Sequence, residues 1–150
     1  MGETPVIRSY LSNDHLSAIS GITPEGKLYL MVQQHAYKSA DVVRFLKHLL
    51  RHIPGKLLII WDGAPIHRSR KIKEFLSNGA ATRIHLERLP GYAPELNPDE
   101  GIWRYLKRVE LKNVTCPDLS HWRRALRKAA NRLRHKPEII QSCIRQPGYI

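Results

Sequence analysis

A chain of 150 residues with 25 Lys and Arg against 13 Asp and Glu, a formal net charge of +12, has room for one domain around one core and not for two. So large an imbalance points to a polyanionic partner, because each neutralised phosphate releases condensed counterions. No stretch reaches the roughly 18 apolar residues of a membrane span and no signal peptide opens the chain, so a cytoplasmic protein with no membrane partner is expected.

In chain order, Val6 to Tyr10 is a short β-prone run after a proline. His15 to Ile22 and Lys27 to Gln34 flank Thr-Pro-Glu-Gly and read as a hairpin. Ser39 to His52 switches to helical period, with Val42, Val43, Phe45, Leu46, Leu49 and Leu50 on one face, Ser39 as N-cap and Pro54-Gly55 as the stop. Leu57 to Trp61 is the continuous apolar run of a strand buried on both faces. Arg68 to Asn78 returns to helix around Ile72, Phe75 and Leu76, and Gly79 suits the position just past its end. Thr82 to Leu86 is a further short strand. A proline-rich loop leads to a helix from Pro98 to Lys112, and a last helix from Leu119 to His135 turns Trp122, Leu126, Ala129 and Leu133 inward. Hairpin, helix, strand, helix, strand, helix, helix is the order of an α/β layered domain. Cys116 and Cys143 have no metal-ligand spacing and read as reduced, structural thiols.

Two stretches carry acids where chemistry is expected. Asp62 follows the apolar run and precedes Gly63-Ala64-Pro65, on the rim where α/β proteins place their sites. Its plain alternative is a turn residue, since Asp-Gly is a common turn pair. Further on, Asn97 suits an N-cap and Pro98 the first helical position. Glu100 then falls where a capping-box acid would. Asp99 and Glu100 point about 100° apart on a helix and cannot face Asp62 equally. With Ile102, Trp103 and Leu106 as the core face, Asp99 lies nearer its centre than Glu100. Hard carboxylate oxygens of this kind suit Mg²⁺ or Mn²⁺.

WDGAPIHRS around Asp62 and LPGYAPELNPDEGIW around Glu100 resemble the second and third acidic motifs of the DDE transposases, in particular the mariner-like family of insertion sequences. The resemblance runs over most of the chain, and the thirty-eight positions between Asp62 and Glu100 are similar to the family's spacing. It implies a ribonuclease H-like α/β fold with strand order 3-2-1-4-5. It implies metal-dependent phosphodiester hydrolysis followed by strand transfer in DNA transposition, with Asp62 and Glu100 as catalytic acids. Asp62, Glu100 and Asp99 are the candidate metal ligands, and the ion pair would activate one oxygen and stabilise another. The family's first catalytic Asp, carried on the central strand, has no counterpart here. A layered domain truncated at its N-terminus, with the first central strand missing, is therefore expected over residues 1–150.

His67, five residues after Asp62, is also family-like, as a DNA contact or an orienting neighbour of Asp62. Its plain alternative is a structural His at a helix start. Arg68, Arg70 and Lys71 beside Asp62, and Arg104, Lys107 and Arg108 behind Glu100, are the candidate DNA contacts, with further basic residues on the last helix. Basic runs of this kind are often just solvated faces. Tyr92 suits either a base stack or packing of the proline-rich loop.

The expected partners are DNA, an upstream transposase fragment supplying the first Asp and a helix-turn-helix domain, and a second copy of the chain in a homodimer. A fragment with two of three carboxylates is expected to be inactive alone. Two rival readings stand beside it: a non-catalytic basic DNA-binding or dimerisation module, and a stand-alone nuclease in which an acid such as Asp14 substitutes for the third.

Overall fold

The computed structural model describes residues 3–13, 16–61, 69–89, 98–112 and 118–145. Five strands form one sheet: β1 Glu3–Asn13, β2 Leu16–Ile22, β3 Leu28–Gln33, β4 Lys56–Trp61 and β5 Ile84–Arg88, in the order β3-β2-β1-β4-β5. Among the described residues five helices cover it: α1 Ser39–His52, α2 Arg70–Ser77, α3 Pro98–Tyr105, α4 Leu119–Arg134 and α5 Pro137–Arg145.

The sheet corrects the expectation of a vacant centre. The β-prone run Val6 to Tyr10 lies inside β1, which pairs with the hairpin strand β2 and is itself the central strand. It runs parallel to β4 from Glu3 to Arg8 and antiparallel to β2 from Ile7 to Asn13. Only Ile7 and Arg8 are paired on both sides. That stagger explains how a central strand tolerates Pro5. The proline lies where β1 has a neighbour on the β4 side alone, so its missing N–H need not break a second ladder. An empty slot between two apolar strands would have left a row of backbone groups unpaired, at about 1–3 kcal/mol for each one buried.

The hairpin joining β2 to β3 turns through Gly26, with φ of 90°. A Cβ on this glycine would meet Pro137 at 2.6 Å, so both the left-handed backbone and the approach of α5 require glycine here. Helix α1 covers the residues expected of it, but its cap differs. Lys38 is the N-cap, and its N–H donates to the Asp41 carboxylate at 2.9 Å. Burial would raise the Asp41 pKa. The Lys38 N–H, the Gln33 amide and Arg44 outweigh it and hold the carboxyl below its usual range.

Helix α2 starts later than expected because Ser69 caps it, its Oγ accepting from the Ile72 N–H at 3.4 Å. Gly79 follows with φ of 108°, as a residue past a helix end should. A short 3-10 turn, Ala80–Thr82, then delays β5 by two residues relative to the expected strand. The helix expected from Pro98 to Lys112 begins at Pro98 but widens into a π segment, Leu106–Glu110, closed by Leu111 N–H to Leu106 C=O at 2.7 Å. Helix α5 was not expected. Its Pro137 at the first position and its apolar Ile139, Ile140, Cys143 and Ile144 carry the signal.

Each face of the sheet has its own core. Val42, Phe45, Leu46 and Leu49 of α1 and Ile72 of α2 pack on Ile19, Leu57, Ile59, Trp61 and Ile84. Each large apolar side chain buried in this way contributes about 1.5–3 kcal/mol of transfer free energy. Opposite them, α3, α4 and α5 bring Ile102, Trp103, Leu106, Leu126, Ala129, Leu133 and Ile140 onto Ala18, Ile22 and Leu28. Among the described residues no helix is long and apolar enough to cross a membrane.

Candidate functional site

Strand period sets the geometry of the site. In β2, Ala18 and Ile22 belong to the α3–α5 core, so Ser20, fully buried between them, points to the same side. Its Oγ donates to Asp99 Oδ2 at 2.5 Å. Asp99 has no exposed surface. This contact pins the first turn of α3 to the sheet, and Glu100, the next residue along, is left half-buried at that turn.

The strand registers locate that turn. Ser20 pairs with Ser9 on β1, and the preceding β1 residue, Arg8, pairs with Trp61 at the end of β4. Two strand spacings, about 10 Å, therefore separate the Asp99 anchor from the end of β4. Trp61 itself packs in the α1–α2 core, and alternation along β4 turns Leu58 and Ile60 toward the side of α3.

Asp62 immediately follows Trp61 in sequence but lies outside the described residues, as do His67, Arg68, Asp14, Tyr92, Asn97 and Cys116. Of the expected metal ligands, Asp99 is inside the core, where its Oδ2 accepts from Ser20. The wheel that put Asp99 nearest the centre of the apolar face was right about its burial. Glu100 supplies one hard oxygen donor group. Within β1 the sequence has no Asp or Glu after Glu3 at its start. Among the described residues no three His, Cys, Asp or Glu side chains come close enough to hold an ion together.

Behind this turn α3 and α5 approach closely. A Cβ on Gly101 would come within 3.1 Å of the Cys143 Sγ. Burial, and then the neighbouring Asp99 charge, push the Cys143 thiol up, so it is an inert packing group, as expected of a structural cysteine.

Arg70, Lys71, Arg104, Lys107 and Arg108 are all exposed. Arg70 pairs with Glu74 one turn on, at 3.1 Å. Other basic residues turn out to be fastenings. Arg83 donates to the C=O groups of Leu50, Ile53 and Gly55, closing the end of α1. Arg123 and Arg134 of α4 donate to Val32 and Leu28 C=O on the outer edge of β3. Arg132 and Lys136 hold Glu110 of the π segment. The sequence reading missed Ser20 and these fastenings. Ser20 had a legible signal, a polar residue in core phase between Ala18 and Ile22. The arginines had none, because an arginine bonded to a distant carbonyl looks like any surface arginine.

A family model described as DDE superfamily endonuclease matches residues 1–123. The chain belongs to this superfamily. Among solved structures it is similar to the catalytic domain of the Mos1 mariner transposase, at 16% identity and a TM-score of 0.64, over 97% of this chain and 82% of that one. The same domain solved with raltegravir and Mn gives a TM-score of 0.64 at 15% identity, with the same coverage. The Mos1 strand transfer complex is matched at 14% identity and a TM-score of 0.64, over 97% of this chain and 54% of that one. No curated protein matches the sequence. At such identities the structural likeness speaks for the fold, which is the ribonuclease H-like one. The mariner-like resemblance of the two acidic motifs agrees with the superfamily.

Proposed function

We propose that this DDE superfamily chain is part of a transposase catalytic domain whose parent activity is metal-dependent phosphodiester hydrolysis and strand transfer in DNA. Asp62 and Glu100 are two of its three acids. The observation that carries the reading is the Asp99–Ser20 anchor, which seats the turn bearing Glu100 about 10 Å from the end of the strand leading to Asp62. A buried polar pair at that place is hard to account for by packing alone, since an apolar residue would fill the same space.

In this reading Asp62 and Glu100 would hold Mg²⁺ or Mn²⁺, the ions named with the Mos1 domain being Mn and Mg. The ion, when bound, supplies charge to the phosphoryl oxygens and lowers the pKa of a bound water. The chain's own residues position the strand: Arg104, Lys107 and Arg108 contact phosphates beside the turn, with Arg68, Arg70, Lys71 and His67 on the Asp62 side. The central part of β1, Thr4 to Asn13, has no Asp or Glu, and we place the third acid on a separate transposase segment, which would also bring the module that recognises DNA ends.

Plasmid nicking with Mg²⁺ and with Mn²⁺ tests this. The chain alone should be silent, and an added polypeptide carrying the missing acid should restore nicking that Glu100→Gln abolishes. Metal-dependent nicking by the chain alone, lost in Asp62→Ala, would instead establish the stand-alone nuclease. The exposed Arg104, Lys107 and Arg108 also suit one further reading, a basic DNA-binding module without catalysis. Salt-sensitive binding to DNA with no restored nicking would select it.

A further inference from the structure

Edge strands leave N–H and C=O groups unpaired, and β3 is the edge on the α4 side. Two of its outward carbonyls are already taken, Leu28 by Arg134 and Val32 by Arg123. Strand alternation directs the N–H of Leu30, midway between them, to the same side. A cleft of about 430 Å³ opens there, lined by Leu30, Met31, Val32, Arg127, Asn131 and Arg134.

The chemistry of this cleft is one-sided. It holds two guanidinium groups, an amide and an outward backbone N–H, and no carboxylate lines it. Arg134 donates to the Leu28 carbonyl and to Asn131 Oδ1, and among the described residues no ion pair neutralises it or Arg127. Burial lowers the Arg134 pKa, which is the mark of a cation drawn partly out of water. An anion entering the cleft would offset that penalty. Arg124, Arg127, Lys128 and Asn131 are exposed at helical spacing and make one stripe along α4, of which Arg127 and Asn131 line the cleft.

The position is also informative. Leu30 pairs with Ser20, and Ser20 with Ser9, so the cleft ends the sheet row that carries the Asp99 anchor. Three strand spacings, about 15 Å, lie between it and the end of β4. We propose that the β3–α4 cleft seats a backbone phosphate of the nucleic-acid strand that flanks the reacting site, with Arg127 lining the cleft and Arg124 and Lys128 beside it along α4. This inference rests on the reading of the chain as a DNA-processing domain. It divides the basic run of α4 into two classes: Arg123, Arg132 and Arg134 fasten the fold, and Arg124, Arg127 and Lys128 face the strand.

The test is DNA binding by the whole chain across a salt series, with random-sequence duplex and single strand. Arg127→Gln with Lys128→Gln should weaken binding and lower the slope of log affinity against log salt by about 2, with an unchanged melting temperature. Arg123→Gln should lower the melting temperature and leave the slope as it was. An unchanged slope in the double variant, while Arg104→Gln with Lys107→Gln reduces it, would overturn the cleft and leave the proposed function standing. No DNA binding by the unaltered chain would overturn both. Inorganic phosphate or a mononucleotide should bind the cleft only weakly. If either protects Arg127 from arginine-directed labelling at micromolar concentration and DNA does not, the site belongs to a small anion and the proposal fails.

Discussion

The two faces of the sheet are built from different materials. The α1–α2 face is mostly aliphatic and aromatic, with Phe45, Leu46, Leu49 and Ile59 fully buried, and its polar pair, Gln33 and Asp41, keeps 7% exposure. The α3–α5 face is mixed, and its polar pair, Ser20 and Asp99, has no exposed surface. Ala18, Ala129 and Ala130 let the helices come close, and Ser20, Asp99 and Cys143 are buried among them. One face stores stability in apolar area, which is non-directional. The other spends part of its interior on a hydrogen bond that fixes where one helix begins. Glu100, the candidate acid, is the residue next to that helix start.

Deleting a ring from the aliphatic face should break this comparison most strongly if it is wrong. Phe45→Ala is expected to destabilise by about 3–5 kcal/mol, read from urea unfolding. A loss below about 1 kcal/mol would mean that the α1–α2 core is not the main store of stability. Next comes the end of α1. Arg83→Ala removes three hydrogen bonds to the Leu50, Ile53 and Gly55 carbonyls and should lose about 2 kcal/mol, with amide exchange rising first near Ile53.

On the mixed face the contrast is between adjacent acids. Asp99→Ala strands the Ser20 hydroxyl and should lose about 1–3 kcal/mol, more than Glu100→Ala. A double-mutant cycle with Ser20→Ala sharpens the point, because the loss should couple to Ser20 for Asp99 and not for Glu100. Equal losses for the two acids would contradict the different roles given to them.

The smallest effect concerns acid. Burial would raise the Glu110 pKa, but Arg132 and Lys136 outweigh it and hold the carboxyl below its ordinary value of 4.5. A carboxyl depressed in the folded state adds stability above its unfolded value, and that contribution is lost as pH falls through the folded value. Stability should therefore drop below about pH 4.5 by an amount that Glu110→Gln removes, within about 1 kcal/mol. An acid limb identical in the variant would show the ion pairs to be too well solvated to matter.

Much of the fold was legible because it rests on short-range rules. The helical period from Ser39 to His52 and the apolar run before Asp62 gave α1 and β4 nearly residue for residue. Gly79 marked the end of α2, and Pro98 the start of α3. The two acidic motifs are also local strings, so the superfamily could be read from them. Strand order could not. Val6 to Tyr10 is β-prone in any position, and only the hydrogen-bond demand of two flanking strands puts it between β2 and β4.

The sequence by itself determined the element types, the basic charge and the acids at issue, since each follows from residue identity and spacing. Tertiary structure alone decided which acid is buried, which arginines are fastenings and which strand fills the centre. Those outcomes depend on partners far along the chain: Asp99 on Ser20, Arg123 on Val32, Arg134 on Leu28 and β1 on β4. A hydrogen bond between residues so distant leaves no periodicity behind, and only the folded geometry brings its two ends together.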